Sequence, residues 1–185
     1  MSEQRLIIIT GPAGAGKTTL GRRLATDLKL PFFSKDAFKD ILFDNLGWQD
    51  RAWSQKLGGT SFELLFHVTH CQLQSGHSLI VETAFHPKFH TERFSQFQKQ
   101  YSFQTYQIYC RTDTRTLFDR FHQRAVSGER HPGHVDHLGT YEEFRSAIEV
   151  GKYAPLEIEG TFIEIDTTNF NRIDYDGLLA QLQGD

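Results

Sequence analysis

The residues with the clearest chemical meaning lie near the start of the chain, in the segment GPAGAGKT from Gly11 to Thr18. This segment fits the pattern G-x-x-x-x-G-K-[ST], whose glycines let the backbone wrap a phosphate group with successive N–H groups pointing inward. Lys17 can reach the terminal phosphates of a nucleoside triphosphate, and the Thr18 hydroxyl can bind Mg²⁺. The pattern predicts a site for ATP and Mg²⁺. The predicted nucleotide contacts are Gly11, Ala13, Gly14, Ala15, Gly16, Lys17, Thr18 and Thr19.

Two acidic residues follow predicted strands and are candidates for the remaining chemistry. Asp36 comes just after a strand at 31–33, and Glu82 closes a strand at 78–82. Doubly wound sheets bind ligands beyond the carboxyl ends of their strands, so both carboxylates should face the phosphate loop. Asp36 could accept the proton of an acceptor hydroxyl, or it could cap the helix that follows. Glu82 could order Mg²⁺ together with Thr18, bind the acceptor, or face solvent.

Two arginines precede a stretch rich in Gly, His and Pro at residues 127–139. Arg120 and Arg124 lie one helical turn apart and share a face of a predicted helix. We expect them to be catalytic and to reach across the transferring phosphate from a lid of about residues 120–139. The alternative is a solvated helix face, which we favour for Arg115.

Other side chains carry weaker signals. Lys39 lies one turn beyond the acidic residue at position 36 and could pair with an anionic acceptor or be solvated. Three of the nine histidines are spaced three residues apart, but a proline and a glycine would break any helix that aligned them. No cysteine lies near them, so we favour a lid turn that contacts phosphate or acceptor over a metal site. These histidines are His131, His134 and His137.

The composition is that of a globular protein, with 185 residues, 38% of them hydrophobic, and a formal net charge of -3. The lack of a long basic run argues weakly against a protein that binds nucleic acid through bulk electrostatics. The two cysteines, Cys71 and Cys110, form no Cys-x-x-Cys pair, which favours free thiols in a reducing compartment. We see no signal-like segment and no apolar run near the about 20 residues of a membrane span. We therefore expect a cytoplasmic protein.

Strand-like and helix-like segments alternate along the chain. Residues 6–9, LIII, form a continuous apolar run typical of a strand buried on both faces, and residues 17–28 carry leucines at helical spacing. The alternation predicts an α/β fold, a single domain over 1–185 with a five-stranded parallel sheet between two helical layers. Further strands are predicted at 31–33, 78–82, 103–110 and 161–165, and further helices at 36–46, 53–75, 86–100, 114–125, 140–150 and 175–182.

These residues together resemble the AAA-type P-loop kinases, a group similar to zeta-toxin-like kinases, chloramphenicol phosphotransferase and the kinase domain of polynucleotide kinases. The resemblance rests on the phosphate loop, on Asp36 and Lys39 after the second strand, on Glu82, and on the arginine pair before the segment RHPGH at 130–134. It implies a three-layer P-loop NTPase fold with a lid, ATP as the donor and phosphorylation of a hydroxyl. It assigns Asp36 as the base and the arginine pair to the lid.

The same resemblance places Thr167, in the segment IDTT at 165–168, beside the adenine. The leading hypothesis is an ATP-dependent kinase that moves the γ-phosphate to a hydroxyl of a small molecule, such as a nucleoside, sugar or antibiotic. One alternative is a polynucleotide 5′-hydroxyl kinase, although such kinases carry an arginine near the place of Lys39. Another is a nucleotide-hydrolysing ATPase module that regulates a partner. We see no signature of a gluconate or shikimate kinase, and the oligomeric state stays open.

Overall fold

The computed structural model describes residues 3–128, 130–135 and 140–184. Five strands form one sheet in the order β2-β3-β1-β4-β5, and every neighbouring pair is parallel. The sheet confirms the predicted α/β architecture and brings the carboxyl ends of β1, β2 and β3 to one edge. The strands are β1 Arg5–Thr10, β2 Phe32–Ser34, β3 Leu79–Glu82, β4 Gln104–Arg111 and β5 Thr161–Asp166.

Seven helices connect and flank the strands in the described part of the chain. Each predicted helix and strand is present, with bounds that differ from the prediction by at most two residues. Two short 3-10 turns, at Pro132–His134 and Phe170–Arg172, were not predicted. Part of the predicted loop at 127–139, including His137, lies outside the described residues. The helices are α1 Lys17–Leu28, α2 Lys35–Leu46, α3 Arg51–Gln74, α4 Pro87–Gln100, α5 Thr114–Val126, α6 Tyr141–Glu149 and α7 Tyr175–Gln183.

The sheet is covered on both faces, which explains the unbroken apolar run in β1. Successive side chains of a strand point to opposite faces. Ile7 and Ile9 therefore pack into one cluster with residues of α1, α5 and α7, while Leu6 and Ile8 pack into a second with residues of α3 and α4. These two clusters are the interfaces of a three-layer structure. Of the described residues, none belongs to a helix long and apolar enough to cross a lipid bilayer.

Aromatic rings fill much of the second cluster, between the sheet and α3 and α4. Phe85 is fully buried, and its ring centroid lies 5.0 Å from that of Phe94 and 6.4 Å from that of Phe66. Phe85 follows β3 directly, so its packing holds the segment that leaves the sheet edge beyond Glu82. The cluster therefore supports the edge at which the predicted site residues meet.

We expect Phe85→Ala to lower the free energy of unfolding by about 3–5 kcal/mol, because it leaves a cavity among well-packed rings. Phe89→Ala is the matched control, since Phe89 is 62% exposed and should change stability by no more than about 0.5 kcal/mol. Urea unfolding followed by far-UV circular dichroism measures both. Equal losses in the two variants would contradict the assignment of Phe85 to the core.

Candidate active site

The phosphate loop lies between β1 and α1, with a backbone that requires its glycines. Gly14 and Gly16 have positive φ angles of 83° and 72°, where other residues are strained. A Cβ atom at Gly14 would lie 2.6 Å from the Leu117 carbonyl oxygen, and one at Gly16 would overlap the Phe170 ring. Gly16 is also the N-cap of α1 and offers no side-chain cap to the first N–H groups of that helix. A helix start of this kind suits a phosphate.

Lys17 lies at the floor of the loop and is almost completely buried. Its Nζ donates a hydrogen bond to the Pro12 carbonyl oxygen at 2.8 Å and lies 4.0 Å from a Glu82 carboxylate oxygen. Burial lowers the pKa of Lys17, and the nearby Glu82 charge partly opposes that effect. The side chain is therefore held in the loop, ready to exchange the carbonyl contact for a phosphate oxygen.

A set of oxygen atoms next to the loop fits a magnesium ion. Thr18 Oγ1 and Ser34 Oγ both donate to Glu82 Oε2, at 3.0 and 2.8 Å. Glu82 is 4% exposed, so the strand-end carboxylate does not face bulk solvent. Hydroxyl and carboxylate oxygens are ligands that Mg²⁺ prefers. Ser34 was missed in the sequence because an isolated serine ending a three-residue strand carries no distinguishing pattern.

Within the described ranges, no group of three His, Cys, Asp or Glu side chains is arranged to hold a metal ion. A magnesium ion at Thr18, Ser34 and Glu82 would therefore depend on nucleotide phosphate oxygens for part of its shell. That requirement matches the way Mg²⁺ is usually held, with few protein carboxylates and substrate phosphates. The donor set fits the ion that the sequence predicts.

Asp36 is the second residue of α2, and it does not cap that helix. Ser34 occupies the N-cap position, which leaves the Asp36 carboxylate directed elsewhere. One carboxylate oxygen accepts from Lys35 Nζ at 3.1 Å, and the other from an Arg130 Nη atom at 3.0 Å. Burial raises the pKa of Asp36, but the charges of Lys35 and Arg130 outweigh it and hold that pKa well below its usual range.

One cleft of about 270 Å³ brings most of the predicted residues together. The phosphate loop, Asp36, Glu82 and Arg124 line the same space, although they come from four parts of the chain. The cleft also contains cationic and aromatic side chains that were not predicted, because single charges in helices and loops look like solvated surface. The additional lining residues are Lys35, Phe62, Thr83, Ala84, Arg130, Lys152 and Tyr153.

The lid turn at Pro132–His134 docks against α2. Arg130 donates to His134 Nδ1 at 3.0 Å, so His134 Nε2 carries the proton and donates to Asp40 at 2.7 Å. Burial lowers the pKa of His134 although Asp40 opposes it, which is consistent with this neutral ring. Gly133 approaches so closely that a Cβ atom there would lie 2.8 Å from the Phe43 ring and from Trp48 Cβ. The predicted lid turn thus contacts α2 through this close approach.

The two arginines of α5 lie at different places. Arg120 donates to the Thr167 and Thr168 carbonyl oxygens at 3.0 and 2.8 Å, and its guanidinium lies 5.9 Å from the Phe170 ring centroid. It lines a second pocket of about 310 Å³ with the loop glycines, and it is not part of the cleft around Asp36. Arg124 lines both spaces. The two arginines therefore share the second pocket, and Arg124, unlike Arg120, also lines the cleft around Asp36.

Thr167 and Lys39, two other residues predicted to contact ligands, form hydrogen bonds inside the fold. The Thr167 hydroxyl is fully buried and lies 2.6 Å from the Thr112 hydroxyl, and Thr167 does not line the second pocket. Lys39 is also buried, and its Nζ donates to Ser54 Oγ at 2.8 Å between α2 and α3. It does not line the cleft, and the solvated reading of Lys39 is wrong.

We expect Lys17→Ala to weaken binding of a non-hydrolysable ATP analogue with Mg²⁺ by about 10- to 100-fold, the loss typical of a charge-assisted hydrogen bond. Titration calorimetry measures the affinity. Lys99→Ala is the control, since Lys99 is an exposed residue in the last turn of α4. An unchanged affinity in Lys17→Ala would rule out the loop as the phosphate site.

Comparisons with known proteins identify the family and the fold. A family model described as an AAA domain matches residues 6–143. The solved structure of a presumed kinase from Chloroflexus aurantiacus J-10-fl is 37% identical, covers 99% of this chain and 98% of that chain, and has a TM-score of 0.87. A gluconokinase from Sinorhizobium meliloti 1021 has a TM-score of 0.58 with 15% identity, over 100% of this chain and 96% of that chain. At that identity the likeness shows the fold alone.

A match among curated proteins is local. Shikimate kinase from Alteromonas mediterranea is 56% identical over 36 residues, which are 20% of this chain and 21% of that protein. The chain thus matches about a fifth of the length of such curated relatives. The match carries no information on the acceptor side of the cleft as a whole.

Proposed function

The chain belongs to the AAA domain family and has the fold of a P-loop kinase, and we propose that it moves the γ-phosphate of ATP to a hydroxyl group of a small molecule. One observation carries this proposal. The phosphate loop and the Asp36 carboxylate line the same cleft, so a donor phosphate and an acceptor hydroxyl would meet there.

The donor half of the site consists of groups that bind and orient the nucleotide. Backbone N–H groups of the loop and the start of α1 bind the phosphates, with Lys17 on the terminal ones. Thr18, Ser34 and Glu82 would hold Mg²⁺, which when bound neutralises phosphate charge. The pocket beside Arg120 and Phe170 suits the base, because an anchored guanidinium and a ring offer flat surfaces for stacking.

The acceptor half depends on Asp36. The acceptor oxygen forms a bond to the γ-phosphorus, and the bond from that phosphorus to the β–γ bridging oxygen breaks as ADP leaves. The hydroxyl proton passes to the Asp36 carboxylate. Because its neighbours hold the pKa of Asp36 low, this carboxylate is ionised at neutral pH and is a weak base. Its main contribution is to orient the hydroxyl, which suits a loose transition state with late proton loss.

Exclusion of water supports transfer over hydrolysis. The lid turn packs on α2, and Arg130 on the lid side contacts Asp36 directly. A closed lid shields the phosphoryl group from water and keeps the acceptor aligned. A nucleotide-hydrolysing module would gain nothing from a carboxylate held on the acceptor side of the cleft.

We expect Asp36→Asn to retain nucleotide affinity and to lower γ-phosphate transfer by about 10²–10⁴-fold, the usual contribution of a positioned proton acceptor. Labelled ATP with a panel of nucleosides, sugars, aminocyclitols and antibiotics measures the transfer. Asp119→Asn is the control, because Asp119 is exposed and pairs with Arg115 on the surface of α5. If transfer in Asp36→Asn equals that of the wild type, Asp36 does not orient the hydroxyl.

We expect Arg124→Ala to lower kcat by about 10³-fold or more and to change ATP affinity much less, because Arg124 would contact the phosphoryl group in the transition state. Steady-state kinetics and analogue binding separate the two effects. Arg115→Ala is a matched control on the same helix, with a side chain that is 75% exposed. A loss confined to ATP affinity would remove Arg124 from the transition state.

A further inference from the structure

Both oxygens of the Asp36 carboxylate are engaged in ion pairs, although the proposed function needs one of them for a hydroxyl. Lys35 and Arg130 each hold one of its oxygens. Arg130 is also fixed by His134, which in turn is held by Asp40. Lys35 is a neighbour of Asp36 in α2, and its Nζ otherwise lies 5.5 Å from the Phe62 ring centroid. Lys35 is therefore the cation that can leave Asp36 with less disturbance of the lid.

The cleft has an excess of positive charge on the side of Asp36. Its described lining contains five cationic and two acidic side chains. Lys17 belongs to the phosphate loop and Arg124 also lines the pocket beside the loop glycines, so both belong to the nucleotide side. The Glu82 carboxylate is engaged by Thr18 and Ser34. The two remaining lysines, Lys35 and Lys152, face one carboxylate, that of Asp36, among the described lining residues.

Lys152 lies just beyond α6 in the chain and lines the cleft. Across residues 3–128, 130–135 and 140–184, no carboxylate lies within ion-pair distance of Lys152, and its Nζ lies 5.5 Å from the Tyr153 ring centroid. Lys35 is largely buried, with 13% of its side chain exposed, so its charge is poorly hydrated. A largely buried cation such as Lys35 interacts strongly with an anion because local screening is weak, whereas the charge of Lys152 is exposed and screened more by water.

We propose that the acceptor carries an anionic group, a carboxylate or a phosphate, besides its hydroxyl, and that this group binds Lys35 and Lys152 and draws Lys35 away from Asp36. The inference rests on the proposed function and names its substrate class, an anionic alcohol. Phe62 and Ala84 supply apolar surface for the carbon skeleton.

The first experiment measures binding of inorganic phosphate to the full chain while a non-hydrolysable ATP analogue and Mg²⁺ saturate the phosphate loop. We expect one phosphate to bind the wild type. Lys35→Met should weaken it by about 10-fold or more, since it removes a largely buried charge-assisted contact, and Lys152→Met should weaken it by a smaller factor of about 2- to 5-fold because its charge is exposed. Lys56→Met is the control and should bind normally, because Lys56 is an exposed residue of α3 outside the cleft. Absence of phosphate binding, or equal binding in all four proteins, would overturn the proposal.

The second experiment follows labelled γ-phosphate with matched acceptors: glycerol, glycerate and glycerol phosphate; glucose, gluconate and glucose 6-phosphate; and 5′-hydroxyl oligonucleotides. Transfer to the anionic members of the glycerol and glucose series, with a higher KM in Lys35→Met, would support the proposal. Which anionic member accepts the phosphate would distinguish a carboxylate from a phosphate. Preference for glycerol and glucose, the neutral members, would overturn the proposal of an anionic acceptor and leave the kinase assignment intact. Transfer to oligonucleotides alone would overturn the proposal that the acceptor is a small anionic molecule. If the label appears only as free phosphate while inorganic phosphate still binds in the first experiment, the kinase assignment is overturned and the anion site is retained.

Discussion

The site depends on one buried carboxylate. Glu82 ends β3, is withdrawn from water and must be paired, because an isolated buried charge is very costly. Its partners are hydroxyls from the start of α1 and from the junction of β2 and α2, with Lys17 nearby. The sheet order places β3 between β2 and β1, so this pairing is possible at the edge where the three strands end. Glu82 thereby ties the donor side of the cleft to the element that carries Asp36.

The acceptor side is organised by charge in a different way. Asp36, Arg130, His134 and Asp40 form a continuous chain of polar contacts that joins α2 to the lid turn. In such a network, each member fixes the protonation state and direction of the next. The Asp36 carboxylate, which is proposed to orient the substrate, is thus part of the network of polar contacts that holds the lid turn. An acceptor bound at Asp36 would therefore also act on the contacts that hold the lid turn.

The fold could be predicted almost completely, because its signals are local and repeated. The apolar run in β1, the leucine spacing of α1 and the glycines of the loop each specify one structure. The site was predicted less well, since it depends on which distant residues the fold brings together. Arg120 and Arg124 share a helical face, yet small differences in direction place Arg120 on backbone carbonyls near Phe170 and Arg124 in both pockets. Ser34, Lys35 and Lys152 have no motif, and their roles follow from three-dimensional proximity alone.

The close approach of Gly133 to α2 has an optical consequence. The chain contains two tryptophans, and Trp48 is the one that the lid turn touches, while Trp53 donates from its indole to the nearby Gly47 carbonyl oxygen. Both tryptophans therefore lie around the junction of α2 and α3, and Trp48 is next to the lid turn. Trp48 is 49% exposed with the lid docked, so undocking would change its contact with water. The protein's native fluorescence is thus a built-in reporter of lid opening, and it needs no attached dye.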